Sequence, residues 1–231
     1  MLLLLTGFGG ATSVGASGLS IGAGSTVRLG DALLALGCND LQIEPAGELQ
    51  AQASTIRLAG NWDNRGTFDA GIGTVLFEDG CVPNLSSIAG SNTFFDLRII
   101  TSTGKTVQFE AGATQKVLDG LTLMGAPGNL LVIRSSIPGQ RAFLDVAPTA
   151  SQLIDYVDVA DNAATGQFLA PGRTAAAAHS IDSGNNFRWF FSGRGAPAMS
   201  GIGLAALALL LVGGGLHRVR RKSRRAAARI G

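Results

Sequence analysis

The fold of this chain is decided by residues 60–77, which read GNWDNRGTFDAGIGTVLF. The stretch holds a small-residue turn, Gly66-Thr67-Phe68, and a run of β-branched, aliphatic and aromatic residues, Thr74–Phe77. Glycine permits the positive φ angles of tight corners, and β-branched and aromatic side chains favour strands. The stretch therefore predicts short strands that alternate with sharp turns.

The same pattern recurs between residues 19 and 191. Short β-rich runs occur at 25–29, 55–58, 74–77, 94–100, 106–109, 130–133 and 153–159. Gly-led turns begin at Gly24, Gly47, Gly66, Gly90 and Gly112, at intervals of 23, 19, 24 and 22 residues. Such a period fits one coil of a solenoid, whose successive strands stack. We predict an all-β fold, a right-handed parallel β-helix, with a β-sandwich as the alternative because it also repeats short strands.

Composition limits the classes of function. The chain has 231 residues, 46% of them hydrophobic, 33 glycines and 15% charged residues, which excludes a disordered chain. Seven of its 18 basic residues follow His217, which leaves 11 basic against 16 acidic residues in the rest. Because phosphate binding needs cations spread over a folded face, we expect no nucleic-acid partner.

The C-terminal region has the pattern of a membrane anchor. Residues 198–216 contain no charged side chain and are apolar on every face, as expected for a transmembrane helix. A linker, 192–197, precedes them, and a basic tail, 217–231, follows. Cationic flanks stay in the cytoplasm, so the body is expected outside the membrane. The flanking charges are Arg218, Arg220, Arg221, Lys222, Arg224 and Arg225.

The N-terminal region has two interpretations. Residues 1–16 begin with an apolar run and end in Val14-Gly15-Ala16, which fits the small-x-small rule for signal-peptidase cleavage. The basic front of a signal peptide is missing from this sequence. We therefore predict a truncated signal peptide over 1–16 and a β-helix over 17–191, with a first apolar strand as the alternative for the N-terminus.

The C-terminal segment resembles a known sorting signal. Pro197, Ser200 and Gly203 match the core of the IPTL-CTERM signal of Gram-negative surface proteins, which usually reads IPTLSxWG, while Ile202 stands where Trp is usual. The resemblance implies cleavage by an exosortase, a membrane-embedded transpeptidase-like enzyme that removes the helix. An unprocessed single-span anchor is the alternative.

The body resembles repetitive bacterial surface proteins. Residues 60–77 are similar to their block GxWxNxGTFxAGxGTVxF, and residues 131–139 to their LxSSxPG turn. Residues 156–164, 182–186 and 189–190 are similar to their closing coil. The likeness implies a secreted β-solenoid of the adhesin or autotransporter-passenger kind. We expect Trp189, Phe190 and Phe191 to cover the last coil.

Few residues have the pattern of a catalytic or metal site. The body has one histidine, His179, in an Ala-rich loop, where we expect an exposed side chain without a chemical role. Asp155, Asp158 and Asp161 lie three residues apart, and Asp158 with Asp161 is the weak candidate for a Ca²⁺ site. On one regular strand, Asp155 and Asp158 would point to opposite faces. We predict no cofactor and no enzyme activity, with a polysaccharide-cleaving β-helix enzyme as the alternative.

The two cysteines, Cys38 and Cys81, form the candidate disulfide of an exported protein. Their spacing is close to two coils, which would separate stacked residues by about 10 Å, beyond the limit of about 7 Å for a bridge. A loop excursion around Cys81 is therefore needed to bring them together.

The sequence thus predicts a non-enzymatic, adhesin-like protein of the cell envelope. The expected partners are the inner membrane in the precursor, an exosortase-type enzyme, and a surface or glycan ligand. The expected location is an anchored precursor with its body outside, and a mature form at the cell surface or beyond it.

Overall fold

The structure is a computed structural model that describes residues 12–15 and 18–190. These residues form a parallel β-solenoid of about eight coils with almost no helix, and a short 3-10 helix spans Ala176–Ala178. The strands are β1 (Thr12–Gly15), β2 (Gly18–Ile21), β3 (Thr26–Arg28), β4 (Leu33–Gly37), β5 (Asp40–Ile43), β6 (Glu48–Gln50), β7 (Thr55–Leu58), β8 (Trp62–Asn64), β9 (Thr67–Asp69), β10 (Thr74–Phe77), β11 (Leu85–Ala89), β12 (Asn92–Ile100), β13 (Lys105–Phe109), β14 (Thr114–Met124), β15 (Leu131–Ser135), β16 (Ala142–Val146), β17 (Ser151–Asp155), β18 (Val157–Ala160), β19 (Asn162–Ala164) and β20 (Ile181–Gly184).

Three sheets run along the solenoid. Sheet 1 stacks β1, β2, β5, β8, β11, β13, β15, β18 and β20 in that order. Sheet 2 stacks β4, β7, β10, β12, β14, β16 and β19, with β17 also paired to β14, and sheet 3 stacks β3, β6 and β9. Among the strands described, every pairing from one coil to the next is parallel, and β1 with β2 is antiparallel. The predicted solenoid is confirmed, and the β-sandwich alternative is wrong because it requires antiparallel partners.

The interior is built from ladders of apolar side chains, one from each coil. Alternate residues of each strand point inward, and the in-register pairing sets equivalent positions above one another. In sheet 1 one such ladder contains Leu19, Leu41, Trp62, Ile88 and Phe109, all of them buried. Burial of this kind contributes roughly 1.5–3 kcal/mol per large apolar side chain, which makes the ladders the main source of stability.

The stretch 60–77 forms most of the third coil, and its aromatic residues lie in the core. Trp62 packs edge-on against Phe68, with ring centroids 4.8 Å apart, and lies 5.6 Å from Phe94 of the next coil. The indole N–H of Trp62 donates to Oδ1 of Asn92 at 2.9 Å, and Asn64 donates to the same oxygen at 3.0 Å. The tryptophan and asparagine of this motif are therefore structural, because they connect adjacent coils inside the solenoid.

Glycine is required where one coil crosses closely over another. At Gly66 an added Cβ atom would lie 2.4 Å from the carbonyl oxygens of both Glu44 and Gly47. At Gly90, where φ is +78°, it would lie 2.0 Å from the carbonyl oxygen of Asn64. Gly66 and Gly90 thus lie at corners where the backbones of successive coils touch.

Residues 153–159 do not form one strand, so the expectation of a continuous β run there is wrong. β17 ends at Asp155 in sheet 2 and β18 begins at Val157 in sheet 1, because Tyr156 adopts a left-handed conformation with φ 54° between them. The relation of Asp155 to Asp158 is therefore set by a corner rather than by strand alternation. Val157 and Val159 do face the interior, as alternation predicts.

The ends of the described solenoid are partly covered. β1 pairs with β2 and covers the first edge of sheet 1, so Thr12–Gly15 of the predicted signal peptide form a strand. Trp189 and Phe190 are buried, and the N–H of Phe190 donates to the carbonyl oxygen of Leu169. This is the covering role predicted for them, while Phe191 lies outside the described residues.

A disulfide joins Cys38 and Cys81, whose Cα atoms are 5.4 Å apart. Cys38 follows β4 directly, whereas Cys81 lies on the loop between β10 and β11. This loop lies beside the corner at Gly60. That corner stacks closely on the preceding coil, since a Cβ atom at Gly60 would lie 2.5 Å from the carbonyl oxygen of Asn39. The loop excursion therefore closes a gap that stacking alone would leave open.

We expect reduction of this disulfide to lower the free energy of unfolding by about 2–4 kcal/mol, because the bond restricts the unfolded chain. Urea titrations with and without a thiol reductant measure the change. The sequence has two cysteines, so the reductant acts on one bond, and the variant with both replaced by serine is the control. Equal midpoints for oxidised and reduced protein would contradict the prediction.

Candidate functional site

A groove runs along the corner at which the chain passes from sheet 2 to sheet 1. Met124 pairs with Ile100 on one side and with Asp155 on the other, so successive coils contribute equivalent residues to the corner. One part of this groove has a volume of about 510 Å³. We call it the corner groove, and this part is lined by Leu76, Glu78, Asp79, Ile100, Thr101, Ser102, Met124, Gly125 and Ala126.

One end of the corner groove is organised by Asp79. Its carboxylate accepts hydrogen bonds from the hydroxyl of Thr101 at 2.5 Å, the amide of Asn84 at 2.8 Å and the backbone N–H of Ser102 at 2.8 Å. Burial raises the pKa of Asp79, but these hydrogen bonds and that of Thr103 outweigh it and hold the pKa well below its usual range. Asp79 is therefore a fixed negative charge that orders the next coil.

Beyond Met124 the corner carries a polar cluster of four residues. Oδ1 of Asp155 lies 3.0 Å from Nδ1 of His179 and 3.3 Å from Nη2 of Arg173. The imidazole stacks on the ring of Tyr156 with centroids 4.6 Å apart and an interplanar angle of 8°. A carboxylate, a guanidinium, an imidazole and an aromatic face thus meet on one exposed surface. These groups can bind a sugar or an acid, and the histidine can exchange protons.

The sequence singled out Asp155 and His179 but neither Arg173 nor the arrangement of the four residues. His179 is exposed, as predicted, yet it is oriented by Asp155, 24 residues earlier, and by the stacked ring of Tyr156. Tyr156 and His179 both adopt left-handed backbone conformations. The N–H of Tyr156 donates to the carbonyl oxygen of Ala178, and this contact between coils brings the two rings together.

Asp158 and Asp161, the two candidates for a Ca²⁺ site, each contact other protein groups. Asp158 pairs with Arg134 at 2.9 Å and accepts a hydrogen bond from Ser183 at 2.6 Å. Asp161 accepts hydrogen bonds from Asn185 and from the backbone of Gly139, and these bonds lower its pKa. Within residues 18–190, no group of three or more His, Cys, Asp or Glu side chains is arranged to hold a metal ion.

Glu110 links three coils on the outside of the solenoid. Its carboxylate accepts the backbone N–H of Gly90 at 2.6 Å and pairs with Arg65 at 3.1 Å. The hydrogen bond from Gly90 lowers the pKa of Glu110, and Arg65 lowers it further, while partial burial acts in the opposite direction. The charged form of Glu110 therefore stabilises the folded state.

We expect Glu110→Gln to reduce the acid sensitivity of the protein. Because the pKa of Glu110 is lower in the folded state, its contribution is present above the ordinary value of 4.5 and is lost as the pH falls through the folded value. The thermal stabilities of wild type and variant should differ most at neutral pH and become equal in acid. Thermal unfolding across this range measures the difference, and a constant offset at every pH would contradict the assignment.

The predicted sorting and membrane residues lie outside the described part of the chain. This applies to Pro197, Ser200, Gly203, the span 198–216 and the basic tail, and to residues 1–11 and 16–17 of the N-terminal region. Among the residues that the structure does describe, no helix has the length and apolar character needed to cross a bilayer.

The fold and the corner groove define the class of this protein as a parallel β-solenoid with a polar cluster on one corner. No family model, no curated protein and no solved structure matches the chain.

Proposed function

We propose that this protein is an exported, right-handed β-solenoid that is displayed at the cell surface and acts as a non-enzymatic, adhesin-like binding module. The observation that carries the proposal is the disulfide between Cys38 and Cys81. Disulfides persist in oxidising compartments, which supports export of the body. The likeness of residues 60–77 to repetitive surface proteins supports the same conclusion.

The C-terminal residues supply the anchor in this proposal. The span 198–216 holds the precursor in the inner membrane, the basic tail stays in the cytoplasm, and an exosortase-type enzyme cleaves near Pro197, Ser200 and Gly203. The resemblance to the IPTL-CTERM signal and the uncharged span followed by arginines support this sequence of events.

Export and cleavage are tested by producing the full chain in a Gram-negative host with and without an exosortase-type enzyme. We expect the released protein to lack the mass of the span and tail only when the enzyme is present. Pro197→Ala should reduce release, whereas Pro171→Ala, a change at an exposed position of the body, should not. Released protein that retains residues 201–231 would overturn sorting and leave a single-span anchor.

The corner groove is the surface that we propose for ligand contact. Ile100 and Met124 provide an apolar floor, and Glu78, Asp79 and Ser102 border it with polar groups. Long polysaccharides make many weak contacts of this kind along a repeated surface. A glycan-binding screen tests the assignment, with Met124→Glu expected to abolish binding and Lys116→Glu, on an exposed position of the same strand, expected to retain binding at a neutral glycan.

A second candidate function is supported by the polar cluster. The contacts of His179 and Arg173 with Asp155 resemble the acid, base and charge-stabilising groups that cleavage of an acidic polysaccharide needs. A screen for chain cleavage on acidic glycans tests it. Activity that is lost in His179→Ala and retained in Asp158→Ala, which changes a different ion pair, would favour the enzyme over the binding module.

A further inference from the structure

Lys105 is a buried amine inside the solenoid. It is 1% exposed and lies on the inward face of β13 with Val107 and Phe109. Its Nζ donates to the carbonyl oxygen of Ala59 at 3.1 Å and to Oδ1 of Asn84 at 3.2 Å. An ammonium group has three donors, and the described residues offer it these two acceptors. The surroundings therefore satisfy a neutral amine better than a charged one.

Burial shifts the protonation equilibrium in the same direction. Burial lowers the pKa of Lys105, and the nearby carboxylates of Asp79 and Glu78 offset only part of this effect. A lysine with a lowered pKa has a larger fraction of neutral amine, which is the nucleophilic form. Lys105 is thus a buried amine with an increased neutral fraction, held against Asn84, and it lies in the core rather than in the corner groove.

The amide of Asn84 is oriented towards this amine. Its Oδ1 accepts from Lys105, and its Nδ2 donates to Asp79 at 2.8 Å and to the carbonyl oxygen of Gly104 at 3.0 Å. The backbone N–H of Thr106 also donates to the carbonyl oxygen of Asn84, which fixes the two coils against each other. The amine therefore faces the carbonyl side of the amide, and the carboxylate faces its nitrogen.

We propose that Lys105 and Asn84 form an intramolecular isopeptide bond. The neutral Nζ of Lys105 attacks Cγ of Asn84, a new C–N bond forms, and the bond from Cγ to Nδ2 breaks. The amine loses one proton and the departing nitrogen gains it, so that one ammonia molecule leaves and no oxidant or reductant is needed. The proton passes from the attacking nitrogen to the departing one, and Asp79, which accepts a hydrogen bond from Nδ2, holds the amide in position for this exchange.

Such a bond joins the loop between β10 and β11 to the next coil. Cys81 on the same loop is tied to Cys38, so the disulfide and the isopeptide bond hold the loop towards opposite ends of the solenoid. Both lie where the chain makes an excursion from the regular stack. The inference concerns a modification of the core and does not depend on the proposed function.

The first test is the mass of the wild-type full chain after folding, purification, denaturation and reduction. We expect the mass to be lower than that of the sequence by one ammonia molecule. Trypsin should then leave the bond after Lys105 uncut and yield a branched peptide that joins Asn84 to Lys105. An unchanged mass together with cleavage after Lys105 overturns the proposal, and this outcome needs no variant that folds.

The second test uses a matched pair of lysines. The described body contains two lysines, of which Lys105 is buried and Lys116 is exposed. After unfolding, an amine-reactive label should modify Lys116 and leave Lys105 unmodified. Lys105→Met and Asn84→Ala should restore the full mass, whereas Lys116→Met should still show the loss of ammonia. Loss of ammonia in Lys105→Met would assign it to another site and overturn the proposal.

Asp79 has a separate readout as a positioning residue. Asp79→Asn retains the size of the side chain and replaces the carboxylate that accepts from Nδ2 of Asn84 with a neutral amide. We expect the rate of ammonia loss in the folded protein, followed by mass over time, to fall by about tenfold to a hundredfold, the size of effect expected when a reacting group is misplaced. An unchanged rate in a folded variant would overturn the role of Asp79.

Discussion

Gly90→Ala should lower the free energy of unfolding by about 4 kcal/mol. The new Cβ atom would lie 2.0 Å from the carbonyl oxygen of Asn64, and Gly90 has a φ of +78° that L-residues adopt at a cost. The backbone cannot move away freely, because the N–H of Gly90 donates to Glu110 and its carbonyl oxygen accepts from Gln115. Denaturant unfolding of the variant measures the loss.

Gly112→Ala is the matched control for this change. Gly112 has the same φ of +78°, but an added Cβ atom there meets nothing within 4 Å. Gly112→Ala should therefore lower the free energy of unfolding by only about 1 kcal/mol, the cost of placing alanine in a left-handed conformation. The difference between the two variants isolates the contact between coils. Equal losses would mean that the backbone angle alone explains the glycine at both corners.

Trp62→Ala should be the most damaging change of a side chain in the core, with a loss of about 3–5 kcal/mol. Trp62 is fully buried and packs against Phe68 and Phe94, so its removal leaves a cavity between two coils. Its indole N–H also donates to Asn92. Urea unfolding followed by far-ultraviolet circular dichroism measures the change without relying on tryptophan fluorescence.

Trp62→Phe separates packing from hydrogen bonding. Phenylalanine retains an aromatic ring but cannot donate to Asn92, whose Oδ1 still accepts from Asn64. The loss should therefore be about 1–2 kcal/mol, well below that of the alanine variant. If both variants lost the same amount, the hydrogen bond rather than the aromatic packing would be the main contribution of Trp62.

The strands were predictable because their signals are local. Alternating side chains and Gly-led turns specify a short strand and a corner from a few adjacent residues, and the repeat of these signals indicates stacking. The prediction failed at residues 153–159, because the side chains of Asp155, Tyr156 and Val157 follow the alternating pattern of a strand although the backbone turns at Tyr156. A left-handed conformation at a tyrosine has no sequence signal comparable to that of glycine.

The candidate sites were harder to predict from the sequence, because their residues come from different coils. Asp155 and His179 are 24 residues apart, and Lys105 contacts Ala59, 46 residues away. Lys105 did have a signal, since strand alternation puts it on the same face as Val107 and Phe109. A lysine on an apolar face of a strand predicts a buried amine with specific partners.

The sequence by itself predicted short strands, their repeat and the Gly-led corners, because these depend on neighbouring residues, whereas the parallel pairing that distinguishes a solenoid from a sandwich came from the structure. Only the tertiary structure decided which residues meet across coils: Cys38 with Cys81, Asp155 with His179, and Lys105 with Asn84. The reason is that the length of each loop sets the register between coils. An insertion such as that between β10 and β11 moves side chains across a coil without leaving a periodic trace in the sequence.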